Sequence, residues 1–417
     1  MQKLEVFGAK KLKGQIKISG SKNASLPILA ATILSNKKIY LKNLPKVKDI
    51  KTMITLLESL GAKIKFNKQK LVIDNSKILK KFVSYNLVKT MRAGILVLGP
   101  LLARFGSAKV SLPGGCAIGS RPIDIHLKSL SKLGVNYKIV QGYVHAFAPN
   151  GLKGGRIRFS KISVGATENL IIAASLAKGT TILSNCAIEP EIKDLVKFLN
   201  QMGCKISWMS KRTIKIIGVK DLNSATYAVM FDRIEAGTYL IAGASTEGNL
   251  KIRNITPDII KTEINLLKKI GAKIKTSKKE IHIIGKKNIK NINFKTAPYP
   301  GFPTDLQAQM MVLLCKANKK STVTEDIFEN RFMHVAELNR MGANIIIKGN
   351  KAIINGNTNF KSAELMATDL RASVSLVLAA LNARGRSIIN RIYHLDRGYE
   401  SIEKKFKNVG GKIKRIY

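Results

Sequence analysis

Acidic residues are scarce in this chain. Asp and Glu number 26 against 72 Lys and Arg, a formal net charge of +46. Such a balance suits nucleic-acid binding, but aromatic residues are scarce too, at 6% with a single Trp, and leave little for bases to stack on. The lysines are spread along the whole length, seldom form blocks, and accompany no nucleic-acid-binding motif, so the charge reads as lysine-rich exposed faces. No nucleic-acid partner is expected, and a basic nucleic-acid-binding protein remains the alternative reading of the charge. Cysteine is rare: Cys116, Cys186, Cys204 and Cys315 form neither a Cys-x-x-Cys pair nor a Cys/His cluster, which argues against a zinc site or a disulfide framework. Long apolar runs are missing, since stretches such as Ser373 to Ala383 fall short of the ~18 residues of a membrane span. Nothing behind Met1-Gln2-Lys3-Leu4-Glu5 resembles a signal peptide. A reduced, cytoplasmic protein without a membrane partner is expected.

What is present is a repeat. With 417 residues, 45% of them apolar, the chain has room for two or three domains of ~150 residues. An amphipathic helix ending in glycine recurs six times, at Gly61, Gly134, Gly203, Gly271, Gly342 and Gly410, at intervals of 68 to 73 residues. Glycine takes the left-handed position that ends a helix. Each unit holds a first helix of small apolar residues (Ala24 to Leu34, Ala93 to Ala103, Glu168 to Ala177, Ile234 to Ala244, Asp305 to Cys315, Ala372 to Leu381), a strand, the amphipathic helix, and a hairpin such as Ala343 to Ile354 with Gly349-Asn350 at its turn. The sixth unit ends one strand short, and Lys3 to Phe7 is spare at the other end, so the two termini are predicted to pair. Three repeats then form one lobe, residues 20–229, and three form a second from residues 1–19 and 230–417, with the ligand site expected in the cleft.

The stretch Leu112 to Pro122 carries three glycines, two prolines, Cys116 and Arg121. It reads either as a shaped loop presenting a thiol and a guanidinium, or as an ordinary strand-to-helix turn with a small cysteine facing inward. Pro122 suits the first position of the helix that follows.

Eight segments, in order along nearly the whole chain, then carry a resemblance: Gly20-Ser21-Lys22-Asn23-Ala24, Met91-Arg92-Ala93, Pro113 to Pro122, Ser163 to Asn169, Gly301 to Asp305, Glu329 to Phe332, Thr368 to Arg371, and Asp396 to Glu400. With them the chain resembles the enolpyruvyl transferases, and among these the members whose acceptor is a nucleotide sugar. The resemblance implies an α/β (α+β) fold of six βαβαββ-like repeats, three per domain. It implies a transferase that moves the enolpyruvyl group of phosphoenolpyruvate to the 3′-hydroxyl of UDP-N-acetylglucosamine, releases phosphate, and serves peptidoglycan precursor synthesis. No cofactor and no metal are implied. Transfer to shikimate 3-phosphate is the nearest alternative, and the Pro-Gly-Gly-Cys loop speaks against it.

By the same resemblance Lys22, Arg121 and Arg397 hold the phosphate of phosphoenolpyruvate, and Arg331 and Arg371 are candidates for its carboxylate, a task that suits the planar guanidinium fork. Asp305 is the base toward the sugar hydroxyl or a proton relay, and a first-turn aspartate favoured by the helix dipole in either case. Cys116, among cations that lower its pKa, is the general acid toward C3, a contributor to product release and the thiol alkylated by fosfomycin. Arg121, Pro122, Ile123, Asp124, Ile125, Lys161, Ser163, Val164 and Ile327 line the nucleotide-sugar pocket, with Asn23 and Arg92 near the reacting ends. Cys186, Cys204 and Cys315 sit in apolar contexts and read as structural.

Overall fold

The computed structural model describes residues 2–8, 10–67, 70–89, 91–114 and 123–417. Among these the strands form six four-stranded sheets. The third repeat shows how one is built. Its leading strand, Arg156–Arg158, runs parallel to Thr180–Ser184, and the hairpin Lys205–Ser210 and Thr213–Ile217 returns antiparallel so that its second strand lies beside Thr180–Ser184. Alternation sets the inward face: Thr181 and Leu183 are buried between more exposed neighbours. The helix between the parallel strands, Val164–Ala174, is buried on every side from Ala166 onward, as its small apolar residues require. The second helix, Pro190–Gln201, opens on a proline at its first position and buries Ile192, Leu195, Val196, Phe198 and Leu199. The six signature glycines all take left-handed φ, between 90° and 115°.

The chain divides into two compact units among the described residues, one running between Gly20 and Met230, the other holding the chain up to Ser19 and from Phe231 to Tyr417. Each has three of the sheets and its own apolar core. We call them the Lys22 unit and the Asp305 unit. Their leading strands are exchanged relative to chain order. Lys13–Lys17, which precedes the first helix of the Lys22 unit, pairs parallel with Asn249–Arg253 of the Asp305 unit. Ala225–Ala228, which precedes the first helix of the Asp305 unit, pairs parallel with Lys38–Lys42 of the Lys22 unit. The strand Lys3–Phe7 lies between Arg386–Asn390 and Lys412–Ile416 and pairs antiparallel with both. No helix among the described residues is long and apolar enough to cross a membrane.

Two inner helices open on a 3-10 segment that the predicted spans do not have. Arg92–Val97 is a 3-10 helix before the α-helix Leu98–Phe105, and Thr304–Leu306 is a 3-10 turn before Gln307–Cys315. The first departure has a visible partner. Asn169 Oδ1 accepts the Gly99 N–H at 2.8 Å, and a Cβ on Gly99 would stand 2.2 Å from that oxygen. Glycine there is a requirement of close approach.

Candidate active site

In the Lys22 unit the predicted residues gather at helix starts. Ser21 caps the helix Lys22–Ala31 by accepting the Ala24 N–H. Gly20 before it has no room for a side chain, because a Cβ would fall 1.6 Å from the Asn43 carbonyl oxygen. This fixes the entry of the chain and directs Lys22. Its ammonium meets Asp49 at 3.3 Å, with both side chains largely buried. Asn23 follows in the same first turn, and Arg92 opens the 3-10 helix of the next repeat. Ser163 caps the helix Val164–Ala174 through its Oγ, which accepts from Ala166 N–H. Val164 and Lys161 are exposed beside that helix start. Asp124 begins the helix Asp124–Ser131 and meets Lys128 at 3.7 Å, while Ile123 and Ile125 pack against the unit's apolar core.

Cys116, Arg121 and Pro122 lie outside the described residues, as does the rest of the loop from Gly115 to Ser120. The other three cysteines are free and buried, and burial drives their thiols up, Cys186 and Cys315 to about 12 and Cys204 to about 11.

In the Asp305 unit the predicted residues converge on one carboxylate. Arg371 Nη2 donates to Asp305 Oδ2 at 2.7 Å, and Arg331 Nη2 donates to Oδ1 at 3.1 Å. Both arginines are buried, with side chains 8% and 4% exposed. Burial disfavours the Arg371 charge, but Asp305, Tyr399 and Asp232 together outweigh it and the guanidinium is held charged, its pKa raised. Asp369 caps the helix Leu370–Asn382 by accepting from the N–H groups of Arg371 and Ala372, which sets the start from which Arg371 projects. Ile327 sits in a turn fastened by the buried Glu325, whose Oε1 accepts from the Ile327 and Phe328 N–H groups and whose Oε2 accepts from Thr304 Oγ1. Arg397 ends the 3-10 turn Leu395–Arg397, and its neighbour Asp396 is gripped by Arg415.

Sequence reasoning passed over several side chains that hold these groups. Asp49 lies 27 residues from Lys22, and nothing in its local pattern marks it. His126 is buried in the helix that follows the cysteine loop, and burial pushes its pKa down to about 4. Gly99 N–H fixes Asn169 Oδ1 as an acceptor, so Asn169 Nδ2 donates to His126 Nδ1 at 3.1 Å and the ring proton resides on Nε2. Glu168, one residue earlier, is fully enclosed, and burial, then Glu191 and Glu189, drives its carboxyl well above the usual range. A cavity of about 550 Å³ lined by Leu34, Arg104, Lys178, Gly218 and Leu222 lies at the opposite ends of the inner helices from Lys22 and Ser163, and holds none of the predicted residues.

A family model described as EPSP synthase (3-phosphoshikimate 1-carboxyvinyltransferase) matches residues 6–406. The chain is 74% identical to the UDP-N-acetylglucosamine 1-carboxyvinyltransferase of Pelagibacter ubique over 416 residues, covering 100% of both chains. It is 50% identical to the enzyme of the same name from Coxiella burnetii, over 100% of this chain and 96% of that one. Among solved structures, the enolpyruvyl transferase NikO from Streptomyces tendae superposes with a TM-score of 0.90 at 22% identity, covering 99% of this chain and 98% of the other.

Proposed function

The chain belongs to the enolpyruvyl transferase family, and from that membership we infer that it transfers the enolpyruvyl group of phosphoenolpyruvate to the 3′-hydroxyl of UDP-N-acetylglucosamine and releases phosphate. The observation that carries this reading is the full-length identity of 74% to a relative named for that reaction. The shikimate 3-phosphate reading rests on the family model's description and on a fold shared with EPSP synthase structures at 17% identity, far below the 74% of the nucleotide-sugar relative.

The reaction is an addition followed by an elimination. The sugar oxygen bonds to C2 of phosphoenolpyruvate, its proton passes to a base, and C3 takes a proton. The tetrahedral adduct then loses a proton from C3 and expels phosphate. Asp305 serves as the base or as a proton relay at C3. Two guanidinium groups favour its ionised form, and it lies at a helix start where the backbone dipole adds positive potential. Arg331 and Arg371 hold the substrate carboxylate in this reading. Each spends one nitrogen on Asp305, and Arg331 Nε is buried with no partner among the described residues, a donor suited to a substrate oxygen. Lys22, held by Asp49, and Arg397 supply charge for the phosphate, together with Arg121. Cys116 serves as the acid toward C3. The helix start at Ser163 and Val164 offers N–H groups to the diphosphate of the nucleotide sugar, beside Lys161, with Asn23, Arg92, Pro122, Ile123, Asp124, Ile125 and Ile327 completing the acceptor site.

A phosphate-release assay with phosphoenolpyruvate tests this reading. UDP-N-acetylglucosamine should support turnover that fosfomycin abolishes, and shikimate 3-phosphate should support none. Turnover with shikimate 3-phosphate alone would overturn the assignment of the acceptor.

A further inference from the structure

The grip on Asp305 has a second layer that centres on one hydroxyl. Tyr399 is 2% exposed and lies two residues beyond Arg397. Its ring stands 5.6 Å from the Arg371 guanidinium carbon. Its oxygen meets three side chains, one from the inner helix of each repeat in the Asp305 unit. Thr238 Oγ1, of the helix Arg233–Ser245, is 2.8 Å away. Gln309 Nε2, of Gln307–Cys315, is 3.3 Å away, and Arg371 Nη1, of Leu370–Asn382, is 3.2 Å away.

The proton positions follow from the donors. Arg371 can only donate, and Gln309 Nε2 also donates to the Asp305 carbonyl oxygen at 3.0 Å, which fixes its amide orientation. Arg371 takes one lone pair of the Tyr399 oxygen, the second Gln309 N–H is shared between that oxygen and Thr238 Oγ1 at 3.2 Å, and the Tyr399 proton goes to Thr238 Oγ1. Thr238 passes its proton to the Ile234 carbonyl oxygen at 2.9 Å. Arg371 is held at both ends of its fork, Nη1 by Tyr399 and Nη2 by Asp305. The network also leaves Gln309 Oε1 buried with no partner among the described residues, a cost that an arrangement serving stability alone has no reason to keep. Backbone bonds tie the same residue to the next arginine. Tyr399 N–H and Gly398 N–H both donate to the Leu395 carbonyl oxygen, closing the turn that carries Arg397.

We propose that Tyr399 is a positioning residue for the transferase reaction, its hydroxyl fixing the Arg371 guanidinium against Asp305 and its backbone fixing the turn of Arg397. This inference rests on the function proposed above. Tyr399→Phe keeps the ring and the turn and removes only the hydroxyl. Thr238→Val breaks the other end of the same chain of hydrogen bonds and leaves Arg371 Nη1 on Tyr399. The two variants should lower the unfolding temperature alike. Tyr399→Phe should lose about tenfold in kcat/KM for phosphoenolpyruvate, with KM for UDP-N-acetylglucosamine unchanged, because misplacement beside a reacting group is costly in rate. Thr238→Val should stay within about twofold of the unsubstituted enzyme in both. Equal kcat/KM in the two variants, whether both normal or both reduced, overturns the proposal. Absence of turnover in the unsubstituted protein would instead count against the transferase reading, so the two failures are distinct.

Discussion

Each unit carries a carboxyl group in or at the start of an inner helix, half-buried at Asp305 and buried at Glu168, and the two are treated in opposite ways. In the Asp305 unit, the carboxylate at the start of an inner helix lies between Arg331 and Arg371 and is held as an anion. In the Lys22 unit, Glu168 lies in the inner helix Val164–Ala174, faces Glu189 and Glu191, and is pushed toward its protonated form by burial first and by those neighbours second. The hydrogen bonds that link the inner helices differ in the same sense. Around Tyr399 they run through a guanidinium and hydroxyl groups. In the Lys22 unit they run through the Asn169 amide, which joins the Ile95 carbonyl, the Gly99 N–H and a neutral His126. One repeat geometry therefore carries an ionic centre in one copy and a neutral one in the other. Depth of burial and the charge of the partners within a few ångströms together decide which protonation state survives.

Substitutions that remove charge and little else break this contrast most sharply. Asp305→Asn should lower the rate of phosphate release on the order of 10³-fold, the scale of a lost general base, while binding of UDP-N-acetylglucosamine measured by calorimetry persists. A near-normal rate would remove Asp305 from the chemistry. Next in size is acid stability. His126 has a folded pKa of about 4, below its unfolded value, so the folded state binds fewer protons between the two. Its contribution is complete above about pH 6.5 and is lost as pH falls toward 4, by about 2 kcal/mol between pH 6.5 and 5. Chemical unfolding at those two pH values should show that drop, and His126→Gln should show a shallower one. The smallest effect is expected at Glu168. An amide resembles a protonated carboxyl, so Glu168→Gln should change unfolding free energy by less than about 1 kcal/mol. A loss above about 2 kcal/mol would mean that Glu168 is an anion, and the contrast between the units would fall.

Much of the fold was legible because its marks are local. A glycine after an amphipathic helix is a backbone requirement visible in sequence, and all six stand at left-handed φ. The predicted lobe bounds put Lys13–Lys17 and Ala225–Ala228 in the units where the structure has them, but the strands they pair with were not legible in the residues themselves. Both are edge strands in parallel pairing, and their short alternating patterns fit either sheet. The 3-10 starts at Arg92 and Thr304 were missed for a similar reason. Gly99 owes its geometry to Asn169, 70 residues away. At the candidate site, Lys22, Ser163, Asp305 and Arg371 were marked by the family resemblance of the segments that hold them. Their holders, Asp49, Glu325 and Tyr399, are ordinary residues whose partners are set by tertiary packing.

The placement of Lys3–Phe7 between two strands from the far end of the chain has a consequence for synthesis on the ribosome. The Lys22 unit has all its strands once Ala228 has emerged, and can fold as the rest is translated. Residues 3–17 are made before the segments they pair with, since Lys13–Lys17 waits for Asn249–Arg253 and Lys3–Phe7 waits for Lys412–Ile416. A strand made early thus finds its place late, and a nascent chain stalled before Arg386 holds one finished unit and one that cannot close.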